Sequence, residues 1–246
     1  MAHPTTEPAQ VTAVRMLLAG PPNRCPHPAP LAIARGGVIA LVRGTDPVSQ
    51  EVELGLRALA EGGGLDLLDV VPAPEFGRTP PARRVKLVVA ATPATSFAAR
   101  RCAAAWNAPV ILPGMINPDE SLRLLLRPEP ALTVEFGDGR TCTVVQAAYF
   151  TGSVHCATTS GTFAHEAREL AISPIPGGML TCVVSEDASP VRPLRELLKL
   201  HLPSPVLATV DGITDVFPAG THRIGLARPL YRIVLHTTPP KSGDLR

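Results

Sequence analysis

Proline restricts this chain more than any other residue: 28 of its 246 positions are Pro, about twice the usual share of roughly 5%. Each Pro fixes φ, removes a backbone donor and pushes its predecessor out of the helical region. Aromatic residues make up only 4%. Together these features argue against a helix bundle and for many short segments broken by turns, so a mainly β fold is expected. Hydrophobic residues reach 45%, charged ones 18%, and the mean hydropathy is +0.18, a balance that excludes disorder over most of the length.

The charge balance of 23 Lys+Arg against 21 Asp+Glu is too even for the phosphate-neutralising face of a non-specific nucleic-acid binder. Cys25, Cys102, Cys142, Cys156 and Cys182 are odd in number and contain no Cys-x-x-Cys pair. Neither a disulfide framework nor a zinc knuckle is signalled, and a reducing compartment is expected. No apolar run approaches the roughly 18 residues of a membrane helix, and no signal-peptide core precedes the first turns. A soluble chain that does not enter membranes is the expectation.

Residues 1–35, rich in Pro, read as an irregular arm, with one apolar patch at Val14–Ala19. Strand-length apolar runs then recur between turn signals: Val38–Val42, Leu65–Val71, Val85–Ala91, Val110–Leu112, Leu122–Leu126, Leu132–Phe136, Thr141–Phe150 and Met179–Val184. Residues 51–61 and 96–106 fit helix or strand equally by periodicity. Arg192–His201 (RPLRELLKLH) reads as the one clear helix, with Leu194, Leu197, Leu198 and Leu200 along one side. Val206–His236 reads as closing β-hairpins, and 237–246 as a polar tail.

The commoner catalytic signatures are missing: there is no G-x-S-x-G, Walker A, H-E-x-x-H, EF-hand or G-x-G-x-x-G pattern. Gly62-Gly63-Gly64 lacks a following Lys-Ser/Thr and reads as a loop. Asp138 and Asp211, each followed by Gly, read as turn residues. His155, Cys156 and His165 match no structural zinc spacing, and Thr158–Thr162 (TTSGT) reads as a polar loop.

Asn107–Arg127 (NAPVILPGMINPDESLRLLLR) stands out. It resembles the third motif of the dUTPase superfamily, and its flanks resemble the herpesvirus dUTPases, which carry two jelly-roll copies in one chain. Arg35–Leu41, Val85–Val89 and Leu132–Phe150 fit strands around the motif, while Leu170–Val184 and Val206–His236 fit a second copy. The resemblance implies a dUTPase-like jelly-roll or β-sandwich of two related halves, 36–150 and 151–236, in a monomer. It also shows losses. Where the family has its water-positioning Asp this chain has Asn117, and Glu120 stands at the Tyr position. Gly114, Ile116, Asn117 and Asp119 therefore form a degenerate motif without a general base of the expected kind.

The phosphate-gripping Gly/Pro-Arg-Ser-Ser motif and the Gly-rich arm are also missing. The resemblance thus implies a non-catalytic viral protein that binds host or viral proteins in the nucleus or cytoplasm, without cofactor. Arg100, Arg101 and Trp106 form the candidate partner patch, since interface anchors favour Arg and aromatic residues. The alternative within the family is an active, Mg²⁺-dependent dUTP diphosphatase. A second alternative rests on the order of Val85–Leu126 followed by a β-rich half, which is similar to the NAD kinase and diacylglycerol kinase superfamily. Its Gly-Gly-Asp-Gly-Thr phosphate motif would fall on Ala91-Thr92-Pro93-Ala94-Thr95.

Overall fold

In a computed structural model, residues 7–19, 37–72, 85–115, 123–184, 191–227 and 231–237 are described. The fold is mainly β with large antiparallel sheets, as the proline and turn density implies. The chain divides into two compact units, leaving the first after Pro128 and returning to it at Arg232.

The first unit holds helix α1 (Ala9–Ala19), strand β1 (Val38–Val42), helix α2 (Pro47–Gly63), β2 (Asp66–Val70), β3 (Val85–Ala90), helix α3 (Ser96–Trp106), β4 (Pro109–Ile111), β5 (Arg123–Glu129) and the last strand, β16 (Tyr231–Thr237). They form one sheet in the order β2-β1-β3-β4-β16-β5. The pairs β1–β2, β1–β3, β3–β4 and β4–β16 are all parallel. Parallel sheets are covered on both faces, so their strands are apolar without interruption. VIALV in β1 is buried at every position, and so is PVI in β4.

Register assigns the two faces. Leu41, Val89, Ile111 and Val234 line up across the sheet and share one core cluster with Val52, Leu56 and Ala60 of α2 and Val11, Val14 and Leu17 of α1. The alternate row, Ala40, Val88, Val110 and Ile233, lies outside that cluster. Helix α3, packed on β3, β1 and β4, buries only the small Ala99, Cys102 and Ala103, which lets it sit close to the sheet.

Two sequence expectations change here, and one left open is resolved. Residues 36–150 do not make one β half: a parallel α/β sheet occupies 38–111, and both ambiguous segments, 51–61 and 96–106, are helical. The amino-terminal arm contains α1, held down by Val11, Ala13, Val14 and Leu17 at 0–8% exposure, a burial worth roughly 1.5–3 kcal/mol for each Val or Leu. Asp46 is the N-cap of α2 and Pro47 its first helical residue.

The second unit is antiparallel: β6 (Leu132–Glu135), β7 (Thr141–Val144), β8 (Ala148–Thr158), β9 (Ala164–Ile175), β10 (Gly178–Val184), β11 (Val191–Leu194), β12 (Leu198–Leu202), β13 (Val206–Val210), β14 (Ile213–Phe217) and β15 (Gly220–Leu226). Its order is β11-β10-β9-β8-β12-β15-β6-β7, with β13 on β8 and β14 on β13. A boundary at 150/151 would fall inside β8. Along the edge opposite β9 that strand serves two partners, β13 along Ala148–Thr151 and β12 along His155–Thr158, and between them lies a bulge where Gly152 takes φ 137.

Arg192–His201 is not a helix. It supplies β11 and β12, where Leu198, Leu200 and Leu202 point inward and Lys199 and His201 outward. The L-K-L-H-L alternation has period two, and burial on the sheet outweighed the helical coincidence of Leu194, Leu197 and Leu198. Pro193 stands on β11, an edge strand, where a missing N–H is tolerated.

Candidate functional site

Strand order sets where a ligand would enter the first unit. From β1 the chain goes to β2 on one side, then returns to β3 on the other. The switch point therefore lies between the carboxyl ends of β1 and β3, the usual crevice of open α/β sheets. Two connections meet there: Arg43-Gly44-Thr45-Asp46 leading into α2, and Ala91-Thr92-Pro93-Ala94-Thr95 leading into α3.

In the first connection the amino terminus of α2 is closed by the chain itself. Asp46 Oδ1 accepts the Ser49 amide at 2.9 Å, its Oδ2 accepts the Ser49 hydroxyl at 2.6 Å, and Ser49 Oγ accepts the Gly44 amide at 3.1 Å. These bonds, led by the Ser49 hydroxyl, hold the Asp46 carboxyl below the usual carboxylate range. A helix amino terminus that would attract an anion thus already carries a carboxylate. Beside it Arg43 grips Asp69 at the end of β2, with Nε 2.8 Å from Oδ1 and Nη2 2.6 Å from Oδ2. Glu53 of α2 approaches Arg43 Nε at 3.2 Å and also takes Arg57 at 2.6 Å. The hydrogen bond with Asp69 chiefly raises the already high pKa of Arg43. An arginine so engaged is not aimed at a phosphate.

The second connection is equally self-satisfied. The Ala91 amide donates to Val42 O at 2.9 Å, that of Thr92 to Thr95 Oγ1 at 3.1 Å, and that of Thr95 to Thr92 O at 3.1 Å. Pro93 has no N–H, which leaves Ala94 with the one backbone donor of the five that has no acceptor among the described residues. Gln10 of α1, 9% exposed, reaches over to donate to Ala91 O at 3.0 Å. Thr92 Oγ1 is buried with no hydrogen-bond partner among the described residues. A phosphate-cradling loop needs several free amides converging on one point; this loop offers a single one and carries no carboxylate.

Of the degenerate motif, Gly114 is described. It takes φ 74 in a turn after β4, where the Met115 amide donates to Leu112 O at 3.3 Å. Ile116, Asn117, Asp119 and Glu120 lie outside the described residues. Arg100, Arg101 and Trp106 all lie on α3 and are all half-buried. At about 100° per residue they point in three different directions around the helix, so α3 does not gather them into one patch. Arg100 Nε is buried without a hydrogen-bond partner among the described residues, whereas Trp106 is engaged.

In the second unit, His155, Cys156 and His165 do not converge either. Cys156 faces the core, with its thiol 3.6 Å from His165 O, and the His165 ring packs on Phe163. The hydroxyls of Thr158, Ser160 and Thr162 bond one another at 2.8–3.3 Å, and the Ser160 amide donates to the Glu196 carboxylate at 3.2 Å, so that loop's donors are already engaged. Gly62-Gly63-Gly64 ends α2, with Gly64 at φ 64 as its cap. Among the described residues no three His, Cys, Asp or Glu side chains are placed to hold one metal ion, and no helix is long and apolar enough to cross a membrane. Of the residues that organise the switch point, Thr92 lay in the motif position the kinase resemblance named, whereas Arg43, Asp46 and Asp69 were not singled out from sequence; the Asp46-Pro47 cap signature was the available signal.

No protein-family model matches the chain, and no curated protein matches it.

Proposed function

We propose that this chain has the architecture of the NAD kinase and diacylglycerol kinase type, has lost phosphoryl transfer, and works by binding a protein partner. The observation that carries the reading is the Ala91–Thr95 connection. It follows a central parallel strand at the switch point, where the resemblance puts a Gly-Gly-Asp-Gly-Thr phosphate motif, yet it has neither the Asp nor any Gly and retains one free amide. A parallel α/β unit followed by an antiparallel one supports the same resemblance. Phosphoryl transfer depends on positioning and on neutralising charge at the phosphates, and here the nearby Arg43 and the α2 amino terminus are already bound to carboxylates.

The dUTPase-like reading, a non-catalytic viral protein binding host or viral factors, draws support from the antiparallel hairpins of the second unit. Two jelly-roll halves would require antiparallel pairing over residues 38–111, where the pairs are parallel. Both readings share the loss of catalytic groups.

One set of assays tests that shared loss. The purified chain is given Mg²⁺ and ATP with NAD, ATP with a diacylglycerol, or dUTP. No product is expected in any arm. NADP or phosphatidic acid would overturn the non-catalytic reading. Pyrophosphate release from dUTP, abolished by Asp119→Ala, would restore an active dUTPase. Replacing Ala91, Thr92, Pro93 and Ala94 by Gly, Gly, Asp and Gly is expected to create an ATP-dependent rise in melting temperature that the parent lacks; an equal rise in the parent would show that the nucleotide site survives.

A further inference from the structure

On the outer face of the second unit, four adjacent strands place Glu166, His155, His201 and Thr221 in a row. Glu166 pairs with His155, His155 with His201, and His201 with Thr221, in successive antiparallel registers. These residues and their neighbours Ala157, Ala164 and Lys199 line a groove of about 460 Å³. The next row carries the small Ala164 and Ala157 beside Lys199, so the two imidazoles rise beside a shallow floor.

Each imidazole is held from outside by one nitrogen. His155 Nδ1 lies 3.1 Å from Glu166 Oε1, and His201 Nδ1 lies 3.2 Å from Thr221 Oγ1. A carboxylate beside Nδ1 keeps the proton of the neutral ring there, which leaves the Nε2 lone pair of His155 available. This is the outer support given to metal-binding histidines. The ring centroids of His155 and His201 are 5.9 Å apart and the rings are tilted by 64°. Two imidazoles on one tetrahedral ion, with metal–nitrogen bonds of about 2.0–2.1 Å, have centroids about 5 Å apart, a closure within reach of side-chain rotation on exposed strands.

We propose that His155 and His201 together bind a borderline divalent cation of the zinc class through their Nε2 atoms, with Glu166 and Thr221 as positioning residues. Imidazole nitrogen selects zinc-class ions over Mg²⁺ and Ca²⁺. Two protein ligands leave the remaining positions to water or to a donor from outside, so the site is open. Lys199 on the adjoining row, paired across strands with Arg223, is a charge that opposes the cation. The site stands in the second unit and does not depend on the reading of the switch point.

The test is calorimetric titration of the chain with Zn²⁺ alone. One equivalent is expected to bind. His155→Gln and His201→Gln should each weaken it at least about tenfold, and Glu166→Gln by about tenfold through the lost support of His155. Lys199→Gln should tighten binding, a response that a site elsewhere would not show. Far-UV circular dichroism establishes that each variant is folded. Binding unchanged in the double His155/His201 variant, or absent in the parent, would overturn the proposal. Phosphate binding lost with Lys199→Gln and the His variants, without Zn²⁺ binding, would make the groove an anion site instead.

Discussion

The Asp211 carboxylate accepts the Gln146 amide at 2.7 Å across 65 residues of sequence. It also takes the amides of Val145 and Ala147 at 3.0 and 3.2 Å, so one side chain, 6% exposed, caps the corner between β7 and β8. Asp211 does this from the left-handed region, at φ 49, in the two-residue turn it forms with Gly212 between β13 and β14. Asp211→Ala strands three donors, two of them buried, and places a Cβ residue at positive φ without a compensating side chain, so a loss of about 3 kcal/mol is expected. Asp211→Asn tolerates the same φ and keeps one acceptor, and should lose roughly half as much. Urea unfolding followed by circular dichroism measures both, and an Asp211→Ala cost below about 0.5 kcal/mol would show that the corner holds without its cap.

His222 sets a pH limit on the second unit. Its ring is 1% exposed, edge-on to Phe217 at 5.1 Å and Phe136 at 5.6 Å. Nε2 donates to Pro218 O at 2.9 Å, while Nδ1 is buried with no partner among the described residues. Burial is the main cause that pushes its pKa below 6.5; Pro218 and Asp138 pull the other way and His201 adds to the lowering. The folded state thus prefers the neutral ring. The unfolded chain binds the proton first as pH falls, so stability is full above about 6.5 and declines below it. The denaturation midpoint of the parent minus that of His222→Phe should fall between pH 7.5 and pH 5. A flat difference would mean that the buried ring does not sense pH.

Gly55 lies where α1 crosses α2. A Cβ there would stand 2.8 Å from Val11 Cγ2 and 3.1 Å from its Cγ1. Helix propensity alone favours Gly55→Ala by about 1 kcal/mol, yet Val11 is fully buried and held by its neighbours. Gly55→Ala is therefore expected to destabilise, and Val11→Ala to make the same substitution neutral or favourable. The cycle of both singles and the double should return a coupling of about 1 kcal/mol or more. Additive behaviour would place α1 elsewhere than on Gly55.

The β-rich character was legible in the sequence because turn residues and short apolar runs punctuate it throughout. The distinction between the two units was legible too, in a signal the jelly-roll resemblance obscured. VIALV and PVI are apolar without interruption, as strands covered on both faces must be, whereas LKLHL and TCTV alternate. What could not be read was partnership. Nothing local in Tyr231–Thr237 says that it joins β4 in parallel rather than closing a hairpin with β15. Likewise His155 and His201 become neighbours only through the β8–β12 register. Leu194, Leu197 and Leu198 satisfied helical spacing until β8 and β15 offered Leu198 and Leu200 a buried face.

The cysteines give a chemical check on both cores. Burial pushes the thiols of Cys102 and Cys156 up to about 11, so at pH 8 only about one in a thousand is the reactive thiolate. Cys102 faces the parallel sheet from α3, and Cys156 points into the antiparallel core. Cys182 on β10 is only half-buried. Alkylation of the native chain at pH 8, mapped by peptide mass, should label Cys182 well before Cys102 or Cys156, and dilute denaturant should abolish the difference. Cys156 reacting as fast as Cys182 would mean that the inward face of β8 opens to solvent in the native state. The same rate at Cys102 would mean that α3 lifts from the sheet, which would also free the Ala91–Thr95 connection at its amino terminus.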